Sequence, residues 1–156
     1  MLHVTPKMPE ASTYKVLVSF SHHAFTRELK GEDQPAERFG PANDVRCFCM
    51  TRLVLSHALP KLIVAASVGK AYFPARGHAK QRNFLLVELS PFEPPYLVVF
   101  NLNKAKKAAA DVAMFVVSAH PRPNLLPRSK MDTISFATLV SKVAQGLPIT
   151  RPPKKK

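Results

Sequence analysis

The sequence predicts an α+β fold: a mainly antiparallel sheet of about five to six strands with two principal helices. Three observations lead there. Residues 82–119 contain three short runs rich in β-branched, aliphatic and aromatic residues, at 82–89, 96–100 and 112–119. Turn chemistry bounds each run, above all the Pro-Phe-Glu-Pro-Pro stretch at 91–95. Two segments, 57–67 and 132–145, carry apolar residues at helical spacing, and each is followed by a glycine, Gly69 and Gly146.

The N-terminal residues 1–13 are polar with two prolines and read as a flexible arm before a single domain at 14–149. Residues 14–20 alternate as a first strand, with Tyr14, Val16, Val18 and Phe20 on one face. The stretch 29–44 is Gly, Pro and charge without periodicity, and a loop that long is often functional. Residues 44–55 read as a long strand. Arg46, Phe48, Met50, Arg52 and Val54 share one face, and Cys47, Cys49, Thr51, Leu53 and Leu55 face the core. Ser56 is the expected N-cap of the first helix, with Pro60 in its first turn. Residues 70–73 form a short strand, and 104–110 a helical turn carrying three lysines. Asp132 is the expected cap of the final helix, which buries Ile134, Phe136, Leu139, Val140 and Val143. Residues 150–156 form a basic tail read as disordered.

Charge is the strongest global fact. The 156-residue chain has 23 Lys+Arg against 10 Asp+Glu, a net charge of +13. Removing Arg151, Lys154, Lys155 and Lys156 leaves +9, so the folded part is basic too. Such a field attracts polyanions, which points to nucleic acid, RNA favoured, with an acidic protein partner as the alternative. No apolar run reaches the roughly 18–20 residues a membrane helix needs, so no membrane role is expected. The two cysteines, Cys47 and Cys49, project from one side of an extended chain and are poorly placed for a mutual disulfide. A reducing, cytoplasmic setting follows.

Candidate chemistry gathers at histidines. His22 and His23 follow the first strand directly, and imidazoles can act as acid and base at an RNA 2′-hydroxyl. On an extended chain the two point to opposite faces, so they should not be equivalent. His120 ends the most apolar strand and sits beside Arg122. Phosphate binding is expected from Arg46, Arg52, Arg76, Lys80, Arg82, Lys104, Lys106, Lys107 and Arg122, with Phe25 and Tyr72 available to stack on bases. For each cation the competing reading is a solvated surface charge. A zinc set from His22, His23, Cys47 and Cys49 is awkward for two adjacent histidines, and packed core cysteines are the default, so no metal or other cofactor is expected.

The order of a helix at 57–67 followed by strands near 70–73, 82–89, 96–101 and 112–119 resembles the helix-plus-meander core of the barnase/EndoU/colicin/RelE-like ribonucleases. The resemblance covers roughly residues 56–121 and is one of topology, with no residue motif to carry roles across. It implies a metal-independent endoribonuclease of toxin type. The alternative is a non-catalytic module that binds RNA, DNA or an acidic protein, including one from a mobile element.

Overall fold

The computed structural model describes residues 1–6, 12–74, 83–88, 95–106, 109–123 and 131–153. In chain order the strands and helices are β1 (Leu2–Val4), β2 (Tyr14–Phe20), β3 (Thr26–Arg27), β4 (Arg38–Phe39), β5 (Arg46–Phe48), α1 (Met50–Ser56), α2 (Leu59–Ala66), β6 (Lys70–Tyr72), β7 (Asn83–Glu88), β8 (Tyr96–Lys104), β9 (Val112–Pro121), β10 (Thr133–Ser135) and α3 (Phe136–Gln145). Among the described residues there are also two short 3-10 turns, His22–Ala24 and Pro35–Glu37. The fold is α+β, as expected.

Seven strands form the main sheet in the order β1-β2-β9-β8-β7-β6-β10, and β3-β5-β4 form a small second sheet. The pairs are antiparallel except β2 with β9, which run parallel from Val16↔Val112 to Phe20↔Val116. Parallel neighbours need a long crossover, and here most of the chain makes it. The ladder continues past β2 through the Ser21 N–H, which donates to the Val116 carbonyl at 2.9 Å. This bond carries the chain beyond Phe20 into the first 3-10 turn.

One face of the sheet is the core. Val16, Val112, Met114 and Val116 from the parallel pair meet Tyr96, Val98, Phe100 and Leu102 from β8, under Ile63 of α2 and Phe136, Leu139 and Val140 of α3. A bulge opposite Val99 and Phe100 lets Ala119 return to the buried side, while Leu97 and Val99 pack with Tyr72 and Met131 in a second, smaller cluster. The outward face of β2 and β9 leaves Leu17 and Phe115 exposed.

Several expectations need correction. The strand read over 44–55 is in fact β5 followed by helix α1, with the Leu53 N–H donating to the Cys49 carbonyl. A short apolar run fits either period, and the helix wins where it lets Arg52 reach the His23 and Thr26 carbonyls. Ser56 caps nothing; its hydroxyl donates back to the Leu53 carbonyl at 2.7 Å, and α2 starts at Leu59 with Pro60 in its first turn. Ser135, not Asp132, caps α3, because Thr133–Ser135 are held as a strand against β6. Gly146 ends α3 at φ 71°, as its position predicted.

The N-terminal arm is not free along its length. Leu2 and Val4 are buried, and β1 pairs with β2 at the sheet edge. Lys104 lies in β8 rather than in a helical turn, and Asp111 ties the far end of that connection to the Lys15 N–H and carbonyl. The tail is anchored where it begins. Arg151 donates to the Pro74 carbonyl at 2.7 Å and lies over the Phe73 ring.

Candidate functional site

The chain turns at Ser21, and that turn builds the site. Ser21 is extended (φ −75°, ψ 154°), and its hydroxyl accepts the His23 N–H at 3.2 Å, which caps the turn His22–Ala24. The Ala24 and Phe25 N–H groups donate to the Ser21 and His22 carbonyls, and Ala24 is buried as the anchor. Alternation therefore stops at Phe20. His22 and His23 do not point to opposite faces; their rings meet edge to face with centroids 4.8 Å apart.

Both imidazoles converge on Asp44. His23 Nε2 lies 2.7 Å from Asp44 Oδ2 and His22 Nε2 lies 3.3 Å from the same oxygen. The first contact is a hydrogen bond. The second lacks hydrogen-bond geometry, so His22 Nε2 is buried without a partner. The His23 hydrogen bond and the nearby charges hold the Asp44 carboxyl below the usual carboxylate range. An ionised Asp44 can only accept, so His23 donates from Nε2 and its Nδ1 is left as the basic nitrogen.

The loop bringing Asp44 here depends on a glycine. Gly40 has φ 111°, and a Cβ there would lie 2.5 Å from the Asp44 carbonyl and 3.1 Å from His22 Nε2. The Asp44 N–H closes the turn onto the Pro41 carbonyl at 2.8 Å. Sequence reasoning flagged this loop for its length and missed Asp44, the residue that makes it matter.

Two arginines frame the cluster in different ways. Arg46 Nε donates to Thr26 Oγ1 at 3.0 Å, and the same hydroxyl donates to the His22 carbonyl at 2.9 Å. Thr26 is fully buried, so it ties the histidine turn to the strand that carries Arg46. Arg52 Nη1 donates to the Thr26 carbonyl at 2.6 Å and to the His23 carbonyl at 3.4 Å. Burial pushes the Arg52 pKa down, although a guanidinium stays charged at neutral pH. Arg52 is thus a brace for the turn, whereas Arg46 also acts on Asp44 through its charge.

His120 and Arg122 reach the same end of the main sheet, because β9 runs parallel to β2. His120 is half-buried with Nδ1 unpartnered, and burial first, then the Arg52 and Arg122 charges, push its pKa down. It stays neutral at neutral pH. Tyr96 is fully buried at this end, and burial pushes its phenol up to about 12. Among the described residues no hydrogen bond or ion pair joins His120 to His22 or His23.

The expected phosphate-binding set separates. Lys104 and Lys106 line an open cleft with Tyr14, Asp111 and Gln145 at the opposite end of the sheet. Tyr14 and His22 bracket β2, so roughly 20 Å lies between the two clusters at the usual strand rise. Arg76, Lys80, Arg82 and Lys107 lie outside the described residues. Tyr72 is buried against Leu97 and cannot stack on a base. Phe25 packs on Phe39 and Phe48, and the latter two rings are themselves exposed.

The cysteines do not join the histidines. Cys47 is fully buried beside Asp33 and Glu37, and Asp33 is held by Nη1 and Nη2 of Arg27. Burial pushes the Cys47 thiol up. Both cysteines are free.

No curated protein and no solved structure matches this chain. A family model does match, over residues 2–144, from the first edge strand through the last helix. The match spans the main sheet, the histidine turn and the Asp44 loop alike, and on that extent the chain belongs to the YjaZ family.

Proposed function

We propose that this chain is a nucleic-acid-interacting protein, RNA favoured, whose reaction centre is the His22–His23–Asp44 cluster acting on a phosphodiester. The single observation that carries the reading is the convergence of two imidazoles on one ionised carboxylate, beside Arg46, on a chain of net charge +13. Asp44 orients His23 as a carboxylate orients the imidazole of a hydrolytic triad, and Nδ1 is then the base. It would take the proton of an RNA 2′-hydroxyl as that oxygen bonds to phosphorus. The 5′-oxygen leaves with that proton returned to it by the His23 imidazolium, giving a 2′,3′-cyclic phosphate. Arg46 and Arg122 supply charge for the phosphate, and the exposed Phe39 and Phe48 rings offer stacking surfaces. The helix-then-meander order α2-β6-β7-β8-β9 supports the likeness to metal-independent ribonucleases at the level of topology. The free thiols support a reducing, cytoplasmic setting.

A second reading has its own support. Arg52 is spent on backbone carbonyls and His120 stands apart from the pair, which leaves fewer groups for chemistry than the sequence offered. That favours a non-catalytic module binding RNA, DNA or an acidic protein. Incubating the purified protein with labelled RNA in EDTA separates the two. Cleavage that His23→Ala lowers by about 100-fold or more supports the catalytic form. Salt-sensitive binding without cleavage leaves the module, and absence of both overturns the nucleic-acid reading.

A further inference from the structure

We propose that His22, His23 and Asp44 form a binding site for a divalent transition cation of the zinc class. The inference goes beyond the nucleic-acid reading and does not depend on it. Its first support is geometric. The three ligand atoms lie within 4.8 Å of one another, with His22 Nε2 already 3.3 Å from Asp44 Oδ2. Ligands about 2.0–2.1 Å from a tetrahedral zinc are about 3.3 Å apart, so the His23–Asp44 contact must open slightly and the two imidazole nitrogens must close toward that spacing.

The second support is the orphaned nitrogen. One carboxylate oxygen faces two imidazoles and satisfies one of them, which leaves His22 Nε2 buried without a hydrogen bond. A cation resolves this conflict, because it takes a lone pair from both imidazoles and charge from Asp44 together. Each imidazole would then carry its proton on Nδ1.

The surroundings are those of a held but open site. Ser21 caps the turn bearing both histidines, and Gly40 admits the Asp44 loop against His22 where any side chain would collide. The side chains of His22, His23 and Asp44 remain 21%, 26% and 40% exposed, so solvent reaches the cluster and can fill a fourth position. Two imidazoles and a carboxylate without thiolate suit zinc, cobalt or nickel better than calcium or magnesium. The other group of potential ligands, Asp33, Glu37 and Cys47, is a weaker candidate because the Arg27 guanidinium already occupies Asp33. Arg46, whose charge reaches Asp44, weakens cation binding at the histidine site.

Zinc and acid–base catalysis would compete for the same two imidazoles. Metal loading should therefore suppress, not support, any RNA cleavage seen in EDTA.

The test is calorimetric titration of the untagged, metal-stripped full chain with zinc chloride at neutral pH. One equivalent should bind and raise the melting temperature. Affinity should fall at least tenfold in His23→Ala and in the near-isosteric Asp44→Asn, and stay unchanged in His57→Ala, a variant of an exposed histidine elsewhere. Metal-free melting curves verify that each variant is folded. Cobalt(II) loading should give d–d bands without a thiolate charge-transfer band. Three outcomes overturn the proposal: no binding or stabilisation at about a hundredfold molar excess of zinc, binding undiminished in folded Asp44→Asn, or a thiolate band implicating Cys47 or Cys49. RNA is absent throughout, so failure here leaves the nucleic-acid reading to its own test.

Discussion

Asp33 and Cys47 show how single residues hold the small sheet in place. Asp33 is buried, accepts from Arg27 Nη1 at 2.7 Å and from the Lys30 N–H at 2.7 Å, and these bonds hold its carboxyl well below the usual range. A carboxyl depressed on folding contributes stability above its unfolded pKa of about 4, and that contribution is lost as pH falls toward the folded value. Asp33→Asn should thus lower the melting temperature by a constant amount above about pH 5, and the gap should close progressively below about pH 4. Thermal melts of both proteins across that range check it, and a gap independent of pH would show that the ion pair is not the source. Cys47 is fully buried with its pKa raised, while Cys49 is partly exposed. A disulfide reagent should therefore titrate one thiol in the native protein and both after unfolding. Rapid reaction of both in the native state would mean that the β3-β5-β4 sheet opens readily.

Among the elements, the two ends of the chain depart most from sequence expectation. β1 buries Leu2 and Val4 against the edge of β2, so a stretch polar on average still supplies two core side chains. At the other end Arg151 reaches the Pro74 carbonyl, lies 5.1 Å from the Phe73 ring centroid and comes within 3.8 Å of Asp132. A cation over a ring, with a hydrogen bond to a carbonyl, is worth about 1 kcal/mol. Arg151→Ala should lower the melting temperature by roughly 2–4 °C, and truncation from Arg151 onward should cost at least as much. Calorimetry on the two variants decides it. Unchanged melting would return the tail to the loose segment that its composition suggests.

For the molecule as a whole the basic charge matters by where it lies. The parallel β2–β9 pair sends His22, His23, His120 and Arg122 to one end of the sheet, while Lys104 and Lys106 sit at the other. With about five phosphate contacts on duplex DNA, log K should fall against log salt with a slope near −4 to −5. If the histidine end is the interface, Arg46→Ala and Arg122→Ala should each reduce that slope by about one, and Lys104→Ala should leave it unchanged. Fluorescence anisotropy across a salt series measures all three. A larger loss from Lys104→Ala would move the interface to the Tyr14 cleft.

Composition and periodicity determine what is local here: the α+β class, strands over 14–20 and near 82–89, 96–100 and 112–119, a helix near 57–67 with its proline, and Gly146 as the left-handed stop. These depend on spacing within about ten residues, which a linear pattern records. The His-His pair is legible for the same reason, since ionisable residues at a strand end stand out. Tertiary structure decided the rest. Thr133–Ser135 became a strand because β6 offered it an edge, and Met50–Ser56 became a helix because Arg52 could then bond two carbonyls more than twenty residues away. Asp44 became the partner of His23, and came within 3.3 Å of His22, through a loop that depends on Gly40, across 21 residues of sequence with no period of its own. A contact of that kind exists only once the β2–β9 ladder has turned the chain at Ser21, and no pattern within the turn encodes it.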